Sequence, residues 1–328
     1  MIPKYEKIFV LCHGGSVTGG PEAAHQLVDR LRSIGARAFV SYTPLERKFE
    51  VPEAFRVYNV EPAIPEDLPG NIIIVPETST TLLEQFSRAK IAIWWLSVDA
   101  FFLFGGLGHS RYWWEGKIAR FIGRYRRWFL PGEYNKLKMA EHFAQSQYAM
   151  NFLLRRRLKS TALSDYINVE FADHEDAPVR KDVIAYSRKG LKTAMRLMKR
   201  HPGFKWVPIQ GLSRTEVRDL LSSVKLYVDF GSHPGKDRLP REAAVCGACV
   251  LTGQEGSAGF TQDLPIPQLY KLDDRSAEFS QSFGLLVKDI FSNFDRHQEA
   301  FGSYRAHILG EKARFEREIE AAFFTEVT

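Results

Sequence analysis

Cysteine is scarce. Cys12, Cys246 and Cys249 are the three in 328 residues, too few to staple a chain of this length, which excludes a disulfide scaffold. Cys246 and Cys249 stand in a CxxC spacing, yet no second CxxC or histidine pair lies near them. They read as small residues that let a helix and a strand pack closely, and no metal is expected. Long apolar runs are missing too. Ile91 to Leu107, IAIWWLSVDAFFLFGGL, is short, carries Asp99 at its middle and a glycine pair near its end, and reads as a buried strand running into a loop. The opening MIPKYEKIFVLCHGG lacks the apolar core and small-residue cleavage site of a secretory signal, so a cytoplasmic location is expected. There is no short-period repeat and no low-complexity tract. Neither a GxGxxG with its later ribose carboxylate nor a Gly-Lys-Ser/Thr phosphate loop occurs.

What is present is ordinary core material and a modest excess of positive charge. The chain is 45% hydrophobic and 26% charged, with 45 Lys plus Arg against 39 Asp plus Glu, hence +6 with histidine neutral. This composition excludes disordered, collagen-like and coiled-coil chains and suits an acidic partner such as a nucleotide, a nucleic acid or an anionic membrane face. The length implies two domains. Lys7–Cys12 is an apolar run entering a glycine loop, as a buried parallel strand does. Pro21 to Ile34 carries Ala24, Leu27, Val28 and Leu31 at helical spacing, with Pro21 in the first turn and Gly35 just past the end. Ala38–Tyr42, Asn71–Pro76 and Ile91–Leu96 are further strands, with a helix over Thr81–Arg88. After a polar passage, Asp173 to Asp182, the alternation repeats through Val183–Tyr186, Gly190–Arg200, Trp206–Ile209, Thr215–Ser222, Leu226–Phe230, a helix beginning near Pro240, and Cys249–Thr252. Strands alternating with helices imply an α/β fold of two doubly wound parallel sheets. Beyond Ser276 the pattern is helical.

Ligands of open α/β sheets sit at the carboxyl ends of the strands, where backbone N–H groups and helix N-termini favour anions. Two loops occupy such places. His13 to Glu22 leads from the first strand into the first helix, and its glycines admit a phosphate or sugar close to the main chain; a plain tight turn is the alternative. The stronger one is Asp229 to Val250, DFGSHPGKDRLPREAAVCGACV, which carries Lys236 and Arg238 and presents Glu242 at the start of a helix. The cations suit a diphosphate and the carboxylate the two hydroxyls of a ribose, against the alternative of a solvated charged loop.

This segment resembles the donor-binding signature of GT-B glycosyltransferases, particularly the family 4-like group, in which a Gly/Pro loop precedes a Glu-Ala-small-x-Gly helix, here Glu242-Ala243-Ala244-Val245-Cys246-Gly247. Gly19-Gly20-Pro21-Glu22 is similar to that group's Gly-Gly-x-Glu loop. Tyr186-Ser187-Arg188-Lys189-Gly190 is similar to its strand-end Arg/Lys segment, Ala144-Gln145-Ser146-Gln147-Tyr148 to the last strand of its acceptor domain, and Gly211-Leu212-Ser213 to the turn before its donor loop. The family's second carboxylate, eight positions before the ribose Glu, is replaced here by Pro234. His233-Pro234 resembles a Ser-x-His-Pro variant of bacterial polysaccharide rhamnosyltransferase-like members, in which Lys236 and Asp237 take over sugar contacts.

The resemblance implies two Rossmann-like domains facing across a cleft: residues 1–168 for the acceptor, 169–305 for the donor, and 306–328 as a helix crossing back to the first. It implies metal-free, retaining transfer from a nucleotide diphosphate sugar to a glycan or lipid-linked acceptor, in polysaccharide biosynthesis. Arg188 and Lys189 would neutralise the leaving diphosphate, unless they are an exposed basic pair. Asp99 and His109 are candidates on the acceptor side for deprotonating a hydroxyl, with a structural role open for each. Gly19, Gly20, Gly211, His233, Lys236, Asp237, Arg238 and Glu242 complete the donor-binding set. Arg111 to Leu130 holds six Lys/Arg, one Glu and seven aromatics. It is compatible with an element docking on the inner face of a membrane or on the acceptor, with a surface for single-stranded nucleic acid, and with a partly buried helix. The rival functions are a non-catalytic nucleotide-sugar or glycan-binding protein and, less favoured, a nucleic-acid-binding protein.

Overall fold

The computed structural model describes residues 2–104, 128–168, 171 and 179–326. They fall into two α/β units, Met1–Asp165 with Lys312–Thr328, and Tyr166–Glu311. No helix among the described residues is long and apolar enough to cross a membrane.

In the first unit β1 (Ile2–Pro3) pairs antiparallel with the last strand, β12 (Phe324–Thr325). The main sheet is parallel throughout: β2 (Ile8–His13), β3 (Ala38–Thr43), β4 (Ile72–Pro76), β5 (Lys90–Trp95), β6 (Glu141–Ala144) and β7 (Thr161–Ala162), in the order β3-β2-β4-β5-β6-β7. Ile8 to Cys12 and Ile72 to Val75 are buried along their whole length, as a parallel strand covered on both faces requires. Helix α1 (Gly19–Ser33) follows β2, and its Leu27, Val28 and Leu31 are fully buried, each contributing about 1.5–3 kcal/mol. Gly35 has φ +88° and ends it as its position past the last apolar residue implies. Helix α2 (Val98–Phe104) follows β5, and α3 (Pro131–Lys138) and α4 (Gln147–Leu154) flank β6. Ser146 caps α4, its Oγ accepting from Ala149 N at 3.1 Å. Phe129 packs against Phe101, Phe102 and Phe152 with ring centres 5.2, 5.9 and 5.7 Å apart, so this aromatic serves the core. Trp128 is exposed. Residues 111–127 of the basic aromatic segment, and His109, lie outside the described residues.

The second unit holds β8 (Lys181–Ser187), β9 (Lys205–Ile209), β10 (Val224–Asp229) and β11 (Cys249–Thr252), parallel and ordered β11-β10-β8-β9. Helices α5 (Leu191–Arg200), α6 (Arg214–Ser223) and α7 (Arg238–Val245) alternate with the strands; α8 (Phe279–Ser292), α9 (Phe294–Glu299), α10 (Gly302–Leu309) and α11 (Glu311–Phe323) close the chain. Cys246 and Cys249 are both buried, and burial pushes their thiols up to about 12. From Lys312 onward α11 belongs to the first unit, where Phe315, Ile319 and Phe323 are fully buried.

Two elements differ from the sequence pattern. Thr81–Arg88 is not an α-helix: Glu77–Gln85 winds as 3₁₀ turns with a break at Ser79, consistent with the clustered threonines, whose branched Cβ disfavours a regular helix. Helix α7 begins at Arg238, two residues before the expected start, with Asp237 extended ahead of it. Pro240 sits within the first turn, where a missing N–H costs nothing. Glu242 therefore lies in the second turn, not the first.

Candidate functional site

Each sheet reverses its strand order once, between β2 and β4 in the first unit and between β8 and β10 in the second. At such a reversal the helices leave on opposite faces and the carboxyl ends of the two central strands border a crevice. In the second unit those ends are the Ser187–Gly190 turn after β8 and the Phe230–Asp237 loop after β10.

Glycine lets the two turns touch. A Cβ on Gly190 would stand 2.9 Å from Phe230 N, and one on Gly231 would stand 2.7 Å from Lys189 Cβ. The contact brings Lys189 Nζ to donate to Asp237 Oδ1 at 2.5 Å. On the other carboxylate oxygen His233 Nδ1 lies at 2.9 Å, while His233 Nε2 faces the Asp229 carbonyl at 3.3 Å. Burial alone would drive the imidazole to its neutral form, but the Asp237 hydrogen bond and the charges of Asp229 and Asp237 outweigh it and raise the His233 pKa. Burial likewise opposes the Asp237 anion; the bond from His233 and the Lys189 charge prevail, and its pKa falls.

Asp229, His233 and Asp237 are the one group among the described residues with metal-ligand proximity, one donor atom from each within 4.8 Å of the others. Their oxygens are already engaged by protein donors: Asp229 accepts from Tyr227 O–H at 2.9 Å and Gly231 N–H at 3.0 Å, and Asp237 from Lys189. This donor set suits an internally neutralised network better than a cation site.

The other predicted residues of the second unit divide. Arg188 is exposed beside Lys189. Arg238 donates to the Tyr166 carbonyl at 2.8 Å. Lys236 does not offer its ammonium outward as the sequence suggested; it is buried against Glu311 Oε1 at 2.7 Å and shares that carboxylate with Arg241, 2.8 Å from its other oxygen. Glu242 is 9% exposed on α7. Gly211 turns with φ +69° after the edge strand β9, and no hydrogen bond among the described residues joins it to the Lys189–Asp237 pair.

In the first unit Gly19 and Gly20 open α1, and Asp99 stands in the first turn of α2, half-buried, where a carboxylate suits the helix dipole. A Cβ on Gly20 would meet Leu96 Cδ1 at 3.5 Å, so α1 enters close to the end of β5. Sequence reasoning missed Glu77, which follows β4 at this same reversal. Its Oε2 accepts from Leu96 N at 3.0 Å, and burial pushes its carboxyl up to about 8 against the backbone N–H groups that favour the anion. It missed Glu311 and Arg241 also, and the Gly256–Gly259 turn. Ser257 N–H donates to the His233 carbonyl at 2.8 Å and its Oγ–H to the Gly235 carbonyl at 2.6 Å, buttressing the loop from below. A glycine cluster after an apolar run, the signal used for the other loops, was present at Gly253–Gly259.

No family model and no curated protein sequence matches this chain. Solved structures do. Sucrose-phosphate synthase from Thermosynechococcus elongatus is 13% identical over 97% of this chain and 95% of its own, with a TM-score of 0.60. HepE from Anabaena, in complex with UDP, is 11% identical over 96% and 98%, with a TM-score of 0.62. An alpha-glucosyltransferase in complex with UDP and a 13-mer DNA is 12% identical over 95% and 99%, with a TM-score of 0.56. The chain has the fold these glycosyltransferases share, the GT-B fold of two Rossmann-like domains.

Proposed function

We propose that this chain is a glycosyltransferase that moves a sugar from a nucleotide diphosphate sugar to a glycan or lipid-linked acceptor. The observation that carries the reading is Lys189, held by Asp237 at the strand-order reversal of the second unit, where Arg188 and the start of α7 also lie. Cations fixed where a diphosphate departs stabilise charge that grows only in the transition state. In this reading the second unit takes the donor, with Glu242 on the ribose and His233, Asp237 and Arg238 bordering the diphosphate and sugar. Lys236 shapes the loop from beneath. Gly19, Gly20 and Gly211 keep the donor-binding role that the motif resemblance implies, and Asp99 is the acceptor-side candidate. The similar structures in complex with UDP support a nucleotide-sugar donor. Retention, metal independence and a family 4-like, rhamnosyltransferase-like placement follow from the motif resemblance, as does membrane-surface docking through residues 111–130.

The test is a thermal-shift screen against nucleotide diphosphate sugars, followed by donor hydrolysis with and without EDTA, since a specific ligand stabilises the native state by mass action. A stabilising sugar nucleotide that is hydrolysed equally with chelator is the expected result. Pro234, in place of the family's second carboxylate, favours one rival, a binding protein of the same fold; binding without any sugar release would establish that rival.

A further inference from the structure

A cavity of about 700 Å³ opens on the first unit at the amino-terminal ends of β6 and β7, the edge of the sheet opposite its loop-bearing end. Lys4, Lys138, Arg157 and Lys159 line it, with Ser160 and Thr161. Its lining carboxylate, Glu141, is already matched by Lys90 at 3.1 Å and accepts from Tyr5 O–H at 3.5 Å. Its histidine, His142, has both ring nitrogens engaged, accepting from Trp95 N–H at 3.0 Å and donating to the Leu137 carbonyl at 3.1 Å, and burial drives its pKa down to about 4. Lys4 Nζ donates to the carbonyls of Ala321 and Ala322. Lys138, Arg157 and Lys159 make no ion pair among the described residues; Lys138 lies over the Tyr134 ring at 5.6 Å. Among the described residues, three cations thus line one hollow whose one lining carboxylate, Glu141, is paired with Lys90.

Arg157 is held there against a backbone preference. Helix α4 ends in a pair of bonds, Leu158 N–H to the Leu153 carbonyl at 3.1 Å and Arg157 N–H to the Leu154 carbonyl at 2.9 Å, the Schellman arrangement in which the penultimate residue turns left-handed and is usually glycine. Here that residue is Arg157, with φ +59°, the one non-glycine at positive φ among the described residues. Left-handed backbone disfavours any side chain bearing a Cβ, so the fold would be better served by glycine, and what an arginine adds is a positive charge in the cavity's exposed lining.

From this juxtaposition we infer that the cavity binds a phosphate-bearing anion, with the Arg157 fork on two phosphate oxygens and Lys138 and Lys159 supplying point charges, the hydroxyls of Ser160 and Thr161 being available as further donors. The volume leaves room for an organic group on the phosphate. Such a group is carried by free phosphate esters and by phospholipid headgroups, and the test separates them. Inorganic phosphate and glycerol 3-phosphate are titrated calorimetrically into the full chain, and co-sedimentation is measured with phosphatidylcholine vesicles with and without phosphatidate. Saturable binding of the soluble ions assigns a free ester; sedimentation with phosphatidate alone assigns a headgroup. In either case Arg157→Gly is expected to keep or raise the melting temperature while weakening binding about tenfold, the effect of one lost charge-assisted contact. Lys159→Gln, an exposed position, is expected to weaken it further. Absence of binding in both arms, or equal binding by the parent and the two variants, overturns the inference.

Discussion

At the residue scale the informative side chains are charged groups taken out of water, since each needs a named partner to be tolerated there. Asp237 meets this condition through His233 and through Lys189, whose exposed ammonium it holds in place before any ligand arrives. If it stabilises a departing diphosphate, Lys189→Ala should lower kcat/KM by about 2 to 4 kcal/mol with nucleotide affinity changed less; equal losses in both would make it a binding residue only. Glu242→Ala should instead weaken nucleotide binding by about 1 to 3 kcal/mol, the worth of charge-assisted hydrogen bonds to a ribose, read by calorimetry with UDP or another nucleoside diphosphate. Glu77 is the converse case. Its carboxyl is raised from 4.5 to about 8, burial being the main cause, so the folded state holds the proton more tightly than the unfolded chain does. The stability this confers is complete below the unfolded value and is lost as pH rises through about 8. Glu77→Gln removes the titration; the parent's melting temperature should fall more steeply than the variant's from about pH 5 to about pH 9, and parallel curves would show that Glu77 does not titrate in this range.

At the element scale the site is made by two turns that nearly interpenetrate. Gly190 has an ordinary φ of −91°, so its requirement for glycine is steric alone: a Cβ would sit 2.9 Å from Phe230 N, an atom of the main chain that cannot swing aside. Gly190→Ala should destabilise by about 1 to 3 kcal/mol, the cost of overpacking, and should reduce turnover by shifting Lys189. Gly203→Ala, where nothing lies within 4 Å, is the control in urea melts; matching midpoints would remove the steric account. The two turns were legible in the sequence because apolar runs ending in glycine announce strand ends, and the strand alternation announces which ends matter. The start of α7 was misjudged because Pro240 is equally at home at several positions of a first turn. The partners of Lys236 and Arg241 were not legible at all, since Glu311 reaches them from about 70 residues along the chain and ordinary periodicity says nothing about which distant carboxylate a buried cation meets.

At the scale of the whole molecule, two α/β units are joined by a chain that leaves the second unit at Glu311 and re-enters the first at Lys312, within one helix. Glu311 is fully buried and holds Lys236 and Arg241 on its two oxygens at 2.7 and 2.8 Å. Arg241 in turn donates to the carbonyls of Lys236 and Asp237 at 2.9 and 3.1 Å, so one carboxylate ties the origin of α11 to the loop that presents His233 and Asp237. A buried ion cluster of this kind is weak evidence for net stability, because desolvation offsets most of the attraction, but breaking it leaves cations stranded. Glu311→Ala should therefore cost about 3 to 5 kcal/mol. Glu311→Gln keeps the shape and one acceptor, and should cost less while disturbing the Asp237–Lys189 pair. If the cluster serves the loop as well as the fold, Glu311→Gln will lower nucleotide affinity at temperatures well below its melting point. If it serves the fold alone, affinity will match the parent's wherever the variant is folded, and calorimetric titration of both proteins at one low temperature distinguishes the two.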